Sequence, residues 1–140
     1  MILLDTNVLS EVMQRRPQPA VLDWLDAQAP EALWTTSITL FEVRFGLAAM
    51  VEGRRRSDLQ KGFDALVEQD LDHRVAVFDV RAADCAASLA AERQRTGRPV
   101  DIRDTFIAGI ALAHRASIAT RNTRHFDDLP VSVLNPWDWG

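Results

Sequence analysis

The feature that most constrains the fold is a short apolar run at the start of the chain that ends in a carboxylate. The residues Met1-Ile2-Leu3-Leu4 lead directly into Asp5, Thr6 and Asn7. An apolar run closed by polar turn residues is typical of a buried strand. Thr6 or Asn7 is predicted to cap a helix that begins at once. Asp5 is therefore predicted at the carboxyl end of a central strand, where open α/β sheets bind ligands and where a buried charge needs a partner or a metal ion.

Strand-like and helical patterns alternate along the whole chain. The predicted strands are Met1–Leu4, Leu33–Thr36, Val75–Phe78, Ser117–Thr120 and Val131–Leu134, and the predicted helices are Asn7–Met13, Pro19–Gln28, Ile38–Val51, Asp58–Asp70, Val80–Arg95 and Asp101–Arg115. This alternation predicts one α/β domain over residues 1–140, a three-layer α/β/α sandwich with a mainly parallel central sheet. The helix after Thr36, capped by Ser37 or Thr39, has apolar residues almost all round and is predicted to be largely buried.

Composition narrows the class of protein. Cys85 is the only cysteine, which excludes an internal disulfide framework and a cysteine-based zinc site. The net charge of -4 argues against a stand-alone, high-affinity DNA-binding protein. The start of the chain has no basic segment typical of a secretory signal, and no apolar run reaches the ~18 residues of a membrane span. We expect a cytoplasmic protein with no membrane association.

Three carboxylates from distant segments are candidates for one site. Glu42 lies on a helix face with Ile38 and Phe45, where a solvated glutamate is unexpected. The alternative is a pair between Glu42 and Arg44 or another arginine. Asp104 lies in the first turn of a later helix, where capping is the alternative, and a capping role is favoured for Asp101.

The segment after the strand Ser117–Thr120 adds polar groups at the same edge of the sheet. Thr120, Asn122, Arg121 and Arg124 are predicted to face Asp5. The two arginines either contact substrate phosphate or balance the acids by salt bridges. Together these residues predict an oxygen-ligand site for Mg²⁺, with Mn²⁺ as a possible substitute, and hydrolysis of a phosphodiester bond by a metal-activated water.

Five segments carry a family resemblance, in order and across essentially the whole chain: Ile2–Leu9, Ser37–Gly46, Asp104–Ala108, Ala119–Asn122 and Leu134–Trp137. Together they resemble a PIN-domain ribonuclease, and more narrowly the VapC toxins of toxin–antitoxin pairs, in particular the FitB-like branch. The resemblance implies a PIN-like fold and a Mg²⁺-dependent endoribonuclease that cleaves structured RNA, commonly tRNA or rRNA. It also implies a homodimer that a small VapB-type antitoxin neutralises. The resemblance implies that the toxin contacts DNA only indirectly, through this antitoxin.

The resemblance also implies roles for single residues. Asp5, Glu42 and Asp104 match the acidic ligands of the family. Four polar residues match neighbours that position waters or ligands: Thr6, Asn7, Ser37 and Thr120. A fourth acid is often present in the family where this chain has Asn122, which accepts hydrogen bonds but brings no charge. Asp101 either supplies the missing charge or simply caps its helix.

Other charged residues leave alternatives open. The run Arg54-Arg55-Arg56 is either a solvated helix start or a contact for nucleic acid or a partner. His125 is either a surface residue or a contact for substrate. A catalytically weakened domain that acts as a partner in a DNA-binding toxin–antitoxin repressor complex is the alternative function, and Asn122 favours it.

Two enzyme classes with similar folds are disfavoured. A phospho-receiver domain needs a lysine at the end of a late strand, and Lys61, the only lysine, lies in a mid-chain helix. A haloacid-dehalogenase-type phosphatase needs a second aspartate two residues after Asp5, where this chain has Asn7.

Overall fold

A five-stranded parallel sheet forms the middle layer. The computed structural model describes residues 1–140. Its strands are β1 (Ile2–Leu4), β2 (Leu33–Thr36), β3 (Val75–Ala76), β4 (Ser117–Ala119) and β5 (Val133–Leu134). They lie in the order β3-β2-β1-β4-β5, and every neighbouring pair is parallel. The predicted parallel sheet is confirmed, with β1 at its centre.

Helices cover both faces of the sheet. They are α1 (Thr6–Val12), α2 (Pro19–Asp26), α3 (Ser37–Ala49), α4 (Arg54–Ala65), α5 (Val80–Arg95) and α6 (Ile102–His114). A π turn, Leu66–Asp70, extends α4, and 3₁₀ turns occupy Pro30–Ala32, Thr123–His125 and Pro136–Asp138. None of the helices has the length and apolar character needed to cross a membrane.

Successive residues of β1 point into two separate cores. Leu4 packs with Val8, Val43 and Phe63 from the α1–α4 layer, whereas Leu3 packs with residues of α5 and α6, including Ile107. Side chains on a strand alternate between its faces, so a strand with apolar residues at both positions must be covered on both sides. The predicted three-layer α/β/α sandwich is confirmed.

Several predicted boundaries shift by a few residues. Asp5 itself caps α1, and its carboxylate accepts a hydrogen bond from the Thr6 backbone N–H at 2.8 Å. Thr36, rather than Ser37 or Thr39, caps α3 by accepting from the backbone N–H of Thr39. Several nearby residues carry a side-chain oxygen that can cap a helix, so the sequence alone does not determine which of them is the N-cap.

Strands β3 and β5 and helix α4 also differ from the predicted bounds. Strand β3 ends at Ala76, because Val77 turns outward and is 56% exposed. Strand β5 spans only Val133–Leu134, and α4 begins at Arg54 rather than Asp58. The arginine run therefore forms the start of a helix.

The prediction that α3 is largely buried is wrong. Only Thr39, Val43 and Leu47 are buried on it. Phe41 and Phe45 are 56% and 61% exposed, and their rings stack with centroids 5.9 Å apart. Neighbouring helices cover one side of α3 only, so its apolar composition leaves an exposed aromatic pair.

Gly109 permits the close approach of α5 and α6. A Cβ added there would lie 2.6 Å from both the Ala82 carbonyl oxygen and the Ala86 Cβ. We expect Gly109→Ala to destabilise the fold by about 1–3 kcal/mol, since overpacking opposes the gain in helix propensity. Gly62→Ala in α4 is the control, because no atom lies within 4 Å of its added methyl group, and it is expected to stabilise by about 0.5–1 kcal/mol. Urea unfolding would compare them, and a stabilised Gly109→Ala would contradict the packing argument.

Candidate acidic active site

The candidate site lies where three central strands end. Asp5 directly follows β1, Thr36 is the last residue of β2, and Thr120 directly follows β4. All three are buried. Strand β1 pairs with β2 on one side and with β4 on the other. The chain segments that follow these strands therefore lead away in different directions and leave a crevice at the carboxyl edge of the sheet.

Both oxygens of Asp5 are held by hydrogen bonds. Oδ1 accepts from the Thr6 backbone N–H at 2.8 Å, and Oδ2 accepts from the Thr120 hydroxyl at 2.7 Å and from Asn7 Nδ2 at 3.3 Å. Asn7 Oδ1 in turn accepts from the backbone N–H of Arg121 at 3.0 Å. Three of the polar residues proposed from the resemblance, Thr6, Asn7 and Thr120, thus fix the orientation of one carboxylate.

Thr6 links Asp5 to Glu42. Its hydroxyl donates to Glu42 Oε1 at 3.0 Å and lies 3.3 Å from the hydroxyl of Thr39. Glu42 Oε2 lies 3.6 Å from Arg103 Nη1, whereas Arg44 pairs with Asp64. The arginine partner considered for Glu42 therefore exists, but α6 supplies it rather than the helix that carries Glu42.

Asp104 reaches the site from the first turn of α6. It is half-buried, and His125 Nδ1 lies 2.7 Å from its Oδ2. His125 belongs to the 3₁₀ turn after β4. The alternatives predicted for His125 were a surface position and contact with substrate. Its contact with an acid was not predicted.

Burial and mutual repulsion act on all three carboxylates. Burial raises the pKa of Asp5, and the charge of Asp104 raises it further. The pKa values of Glu42 and Asp104 are likewise raised, mainly by burial, with Arg103 opposing the shift at Glu42 and His125 opposing it at Asp104. Burial is thus the main cause of the raised pKa values, and repulsion between the acids adds to it at all three.

The donor set fits a hydrated, hard cation. No three His, Cys, Asp or Glu side chains converge closely enough in this structure to hold an ion together. Mg²⁺ does not require that, since it is commonly bound by one or two carboxylates and retains several waters. The oxygen donors suit Mg²⁺ or Mn²⁺ and not a closed zinc site of cysteine and histidine.

Two of the proposed site residues have hydrogen bonds that serve the fold. Asp101 is the N-cap of α6, and its exposed carboxylate accepts from the Arg103 backbone N–H at 2.8 Å. This favours the capping alternative. The Ser37 hydroxyl accepts from the backbone N–H of Phe78 at 3.0 Å, so it anchors the segment after β3 rather than joining the hydrogen bonds around Asp5.

Asn122 and the two arginines of the same segment are exposed. The Asn122 backbone N–H donates to the Thr120 hydroxyl at 3.0 Å, and its side chain makes no hydrogen bond to the protein. The Arg121 guanidinium lies 5.1 Å from the ring centroid of Trp137. Neither Arg121 nor Arg124 forms an ion pair, so the salt-bridge alternative for them is wrong.

Arg93 is a supporting residue that the sequence analysis missed. Its guanidinium, which is nearly fully buried, donates to both oxygens of Asp128 at 2.9 Å, to the Thr105 hydroxyl at 2.8 Å and to the His125 carbonyl at 2.7 Å. It therefore fixes α6 next to Asp104 relative to the turn that carries His125. The signal was available, because Arg93 continues the buried stripe of Ala82 and Ala86 at helical spacing.

The raised pKa values predict how stability depends on pH without divalent cations. A carboxyl with a raised folded-state pKa is stabilising when protonated, so its contribution is lost as pH rises from its ordinary value through the raised one. The free energy of unfolding of Asp104→Asn minus that of wild type should therefore increase from about pH 4 to pH 8 in chelator. The control is Asp23→Asn, the same chemical change at an exposed position on α2. Chemical unfolding at several pH values checks this, and a flat Asp104→Asn curve would contradict it.

Comparisons with known proteins cover the full length of the chain. The PIN domain family matches residues 2–131. A VapC ribonuclease of Sinorhizobium fredii is 42% identical over 99% of this chain and 99% of its own length, and the toxin FitB of Neisseria gonorrhoeae is 33% identical over 98% and 99%. The solved structure of FitAB bound to an IR36 DNA fragment superposes with a TM-score of 0.90 at 32% identity, covering 100% of this chain and 98% of the other.

Proposed function

The chain belongs to the PIN domain family, among the VapC-type and FitB-type proteins, and on that premise we propose that it is a metal-dependent endoribonuclease that acts as the toxin of a toxin–antitoxin pair. The observation that carries the proposal is the meeting of Asp5, Glu42 and Asp104 at the carboxyl edge of the sheet. These acids come from β1, α3 and α6 and repel one another. Oxygen donors of this kind suit a hard cation such as Mg²⁺, which is commonly bound by one or two carboxylates together with substrate phosphate.

Asp5 and Asp104 would hold Mg²⁺, or Mn²⁺ as a substitute, with Glu42 binding directly or through water. A bound ion would supply an activated water and stabilise the charge that develops on the phosphate. The chain's own residues orient the acids. Thr6 joins Asp5 to Glu42, and His125 holds Asp104 from the turn after β4.

The partners follow from the family and from the exposed surface. We propose tRNA or rRNA as substrate, the cytoplasm as the site of action, and a small VapB-type antitoxin as inhibitor. We also propose that contact with DNA occurs only through the antitoxin; the similar FitAB complex binds a DNA fragment. The exposed Phe41–Phe45 pair is an apolar surface that fits a homodimer contact.

A second candidate function rests on Asn122. A neutral, exposed side chain stands where the family often has a fourth acid, which lowers the expected affinity for cations. In that case the protein acts as a catalytically weakened partner in a DNA-binding toxin–antitoxin repressor complex.

The test compares cleavage of tRNA and rRNA by wild type and Asp104→Asn, both shown to be folded. Wild type is expected to cleave with Mg²⁺ and to lose activity in chelator, and Asp104→Asn to be slower by about tenfold to a hundredfold. Equal rates for the two proteins would refute the acidic site as the nuclease centre. A wild type that cleaves none of these RNAs but still forms the antitoxin–DNA complex would favour the second candidate.

A further inference from the structure

A cleft of about 850 Å³ opens next to the acidic site, between α1, α3 and α4. Thr6 and Glu42 line one part of it, and Arg54 and Arg55 line another. Thr6 and Glu42 also belong to the hydrogen bonds around Asp5, so the cleft adjoins the acidic site. A ligand in the cleft therefore lies against Glu42, the one of the three acids that lines it.

The cleft has an excess of positive charge. Arg15, Arg54 and Arg55 line it against two acids, Glu42 and Asp58, and all three arginines are exposed. None of them forms an ion pair or a side-chain hydrogen bond, whereas five arginines elsewhere pair with acids: Arg44, Arg93, Arg95, Arg98 and Arg103. Four more arginines have no such partner, Arg16, Arg115, Arg121 and Arg124, but none of these four lines the cleft. In a chain of net charge -4, three unpaired guanidinium groups in one cleft indicate an anionic ligand.

We propose that this cleft binds the phosphodiester backbone of RNA on one side of the cut, with Arg15, Arg54 and Arg55 contacting phosphates. The proposal rests on the proposed nuclease function and adds the path of its substrate. Glu42 lines the cleft, and Thr6 joins Glu42 to Asp5. An RNA strand that runs from the cleft to the acids would set one phosphate at the reacting position.

The lining of the cleft indicates what kind of contact it makes. Its apolar residues are Met13, Val43, Leu47 and Leu59, with no aromatic ring on which a base could stack. Contacts to phosphates fix position and affinity and carry no sequence information. The cleft is therefore expected to hold RNA of any sequence, so the choice of cleavage site depends on other surfaces. A peptide could use the same apolar floor, but the unpaired arginines favour a polyanion.

The test is the triple variant Arg15→Gln/Arg54→Gln/Arg55→Gln, assayed on whichever of the tRNA or rRNA pools the wild type cleaves. We expect KM to rise about tenfold or more with kcat within about twofold, because the lost contacts act on bound RNA in general. Binding of a labelled single-stranded RNA is measured in parallel on Asp104→Asn, with and without the three substitutions. The slope of log affinity against log salt should become shallower by about two.

The matched control is Arg95→Gln/Arg115→Gln, which removes exposed arginines that do not line the cleft and is expected to leave KM unchanged. An active wild type whose KM and salt slope do not respond to the triple substitution would overturn the cleft proposal while the nuclease function stands. If KM and the salt slope are unchanged but the antitoxin no longer inhibits the triple variant, the cleft binds the antitoxin instead of RNA. A wild type without nuclease activity, whose RNA binding still depends on the three arginines, would refute the nuclease function and retain the cleft.

Discussion

Asp5→Asn is expected to lower kcat/KM for RNA cleavage by about 100-fold or more while the protein still folds, because loss of even an outer-shell partner of a metal ligand costs about 10–100-fold. Asp5 is buried, and Thr6, Asn7 and Thr120 hold both of its oxygens. The amide keeps the shape of the side chain and can still accept from the Thr6 backbone. It removes the charge that attracts the cation and turns one acceptor into a donor.

The measurement is initial cleavage rate against RNA concentration at saturating Mg²⁺, with thermal unfolding as a check of the fold. Asp23→Asn makes the same chemical change at an exposed position on α2 and should retain wild-type activity. An Asp5→Asn protein within tenfold of wild type would exclude Asp5 from the catalytic centre.

The largest expected loss of stability comes from Asp128→Ala. The substitution leaves the buried Arg93 guanidinium without the carboxylate that accepts two of its hydrogen bonds. Removing one partner of a buried ion pair is strongly destabilising, and because Asp128 is itself partly exposed we expect about 3 kcal/mol, the low end of that range. Urea unfolding at pH 7 would measure it.

Asp64→Ala is the control, because it breaks the exposed Arg44–Asp64 pair and should cost at most about 1 kcal/mol. The Arg93 interaction lowers the pKa of Asp128, so its contribution is present above the ordinary carboxyl pKa and is lost as pH falls through the lowered one. Equal costs for the two substitutions at pH 7 would contradict the role assigned to Arg93.

The sequence was sufficient for features that local patterns encode. The run before Asp5 is apolar at every position, and it forms a strand covered on both faces. The meeting of Asp5 with Thr120 follows from parallel strands that end at one edge. Glu42 stood out as a charged residue among apolar residues of one helix face, although Phe45 on that face is exposed in the structure.

What the sequence did not predict depends on contacts between distant segments. His125 meets Asp104, and Arg103 approaches Glu42, through packing that no local spacing reports. The exposure of Phe41 has the same origin, because periodicity identifies apolar positions on a helix but not how many neighbours will cover them. Arg93 was recognisable only as a charged residue within a buried stripe.

The hydrogen bond between Thr120 and Asp5 joins residues 115 positions apart, and this has a consequence for biosynthesis. A nascent chain that presents its first three strands already contains Asp5 and Glu42, but not the segment that orients Asp5 or the histidine that holds Asp104. Pairings this distant in sequence form late in folding. The acidic site is therefore completed only when nearly the whole polypeptide has been synthesised, so unfinished chains on the ribosome would lack an assembled site.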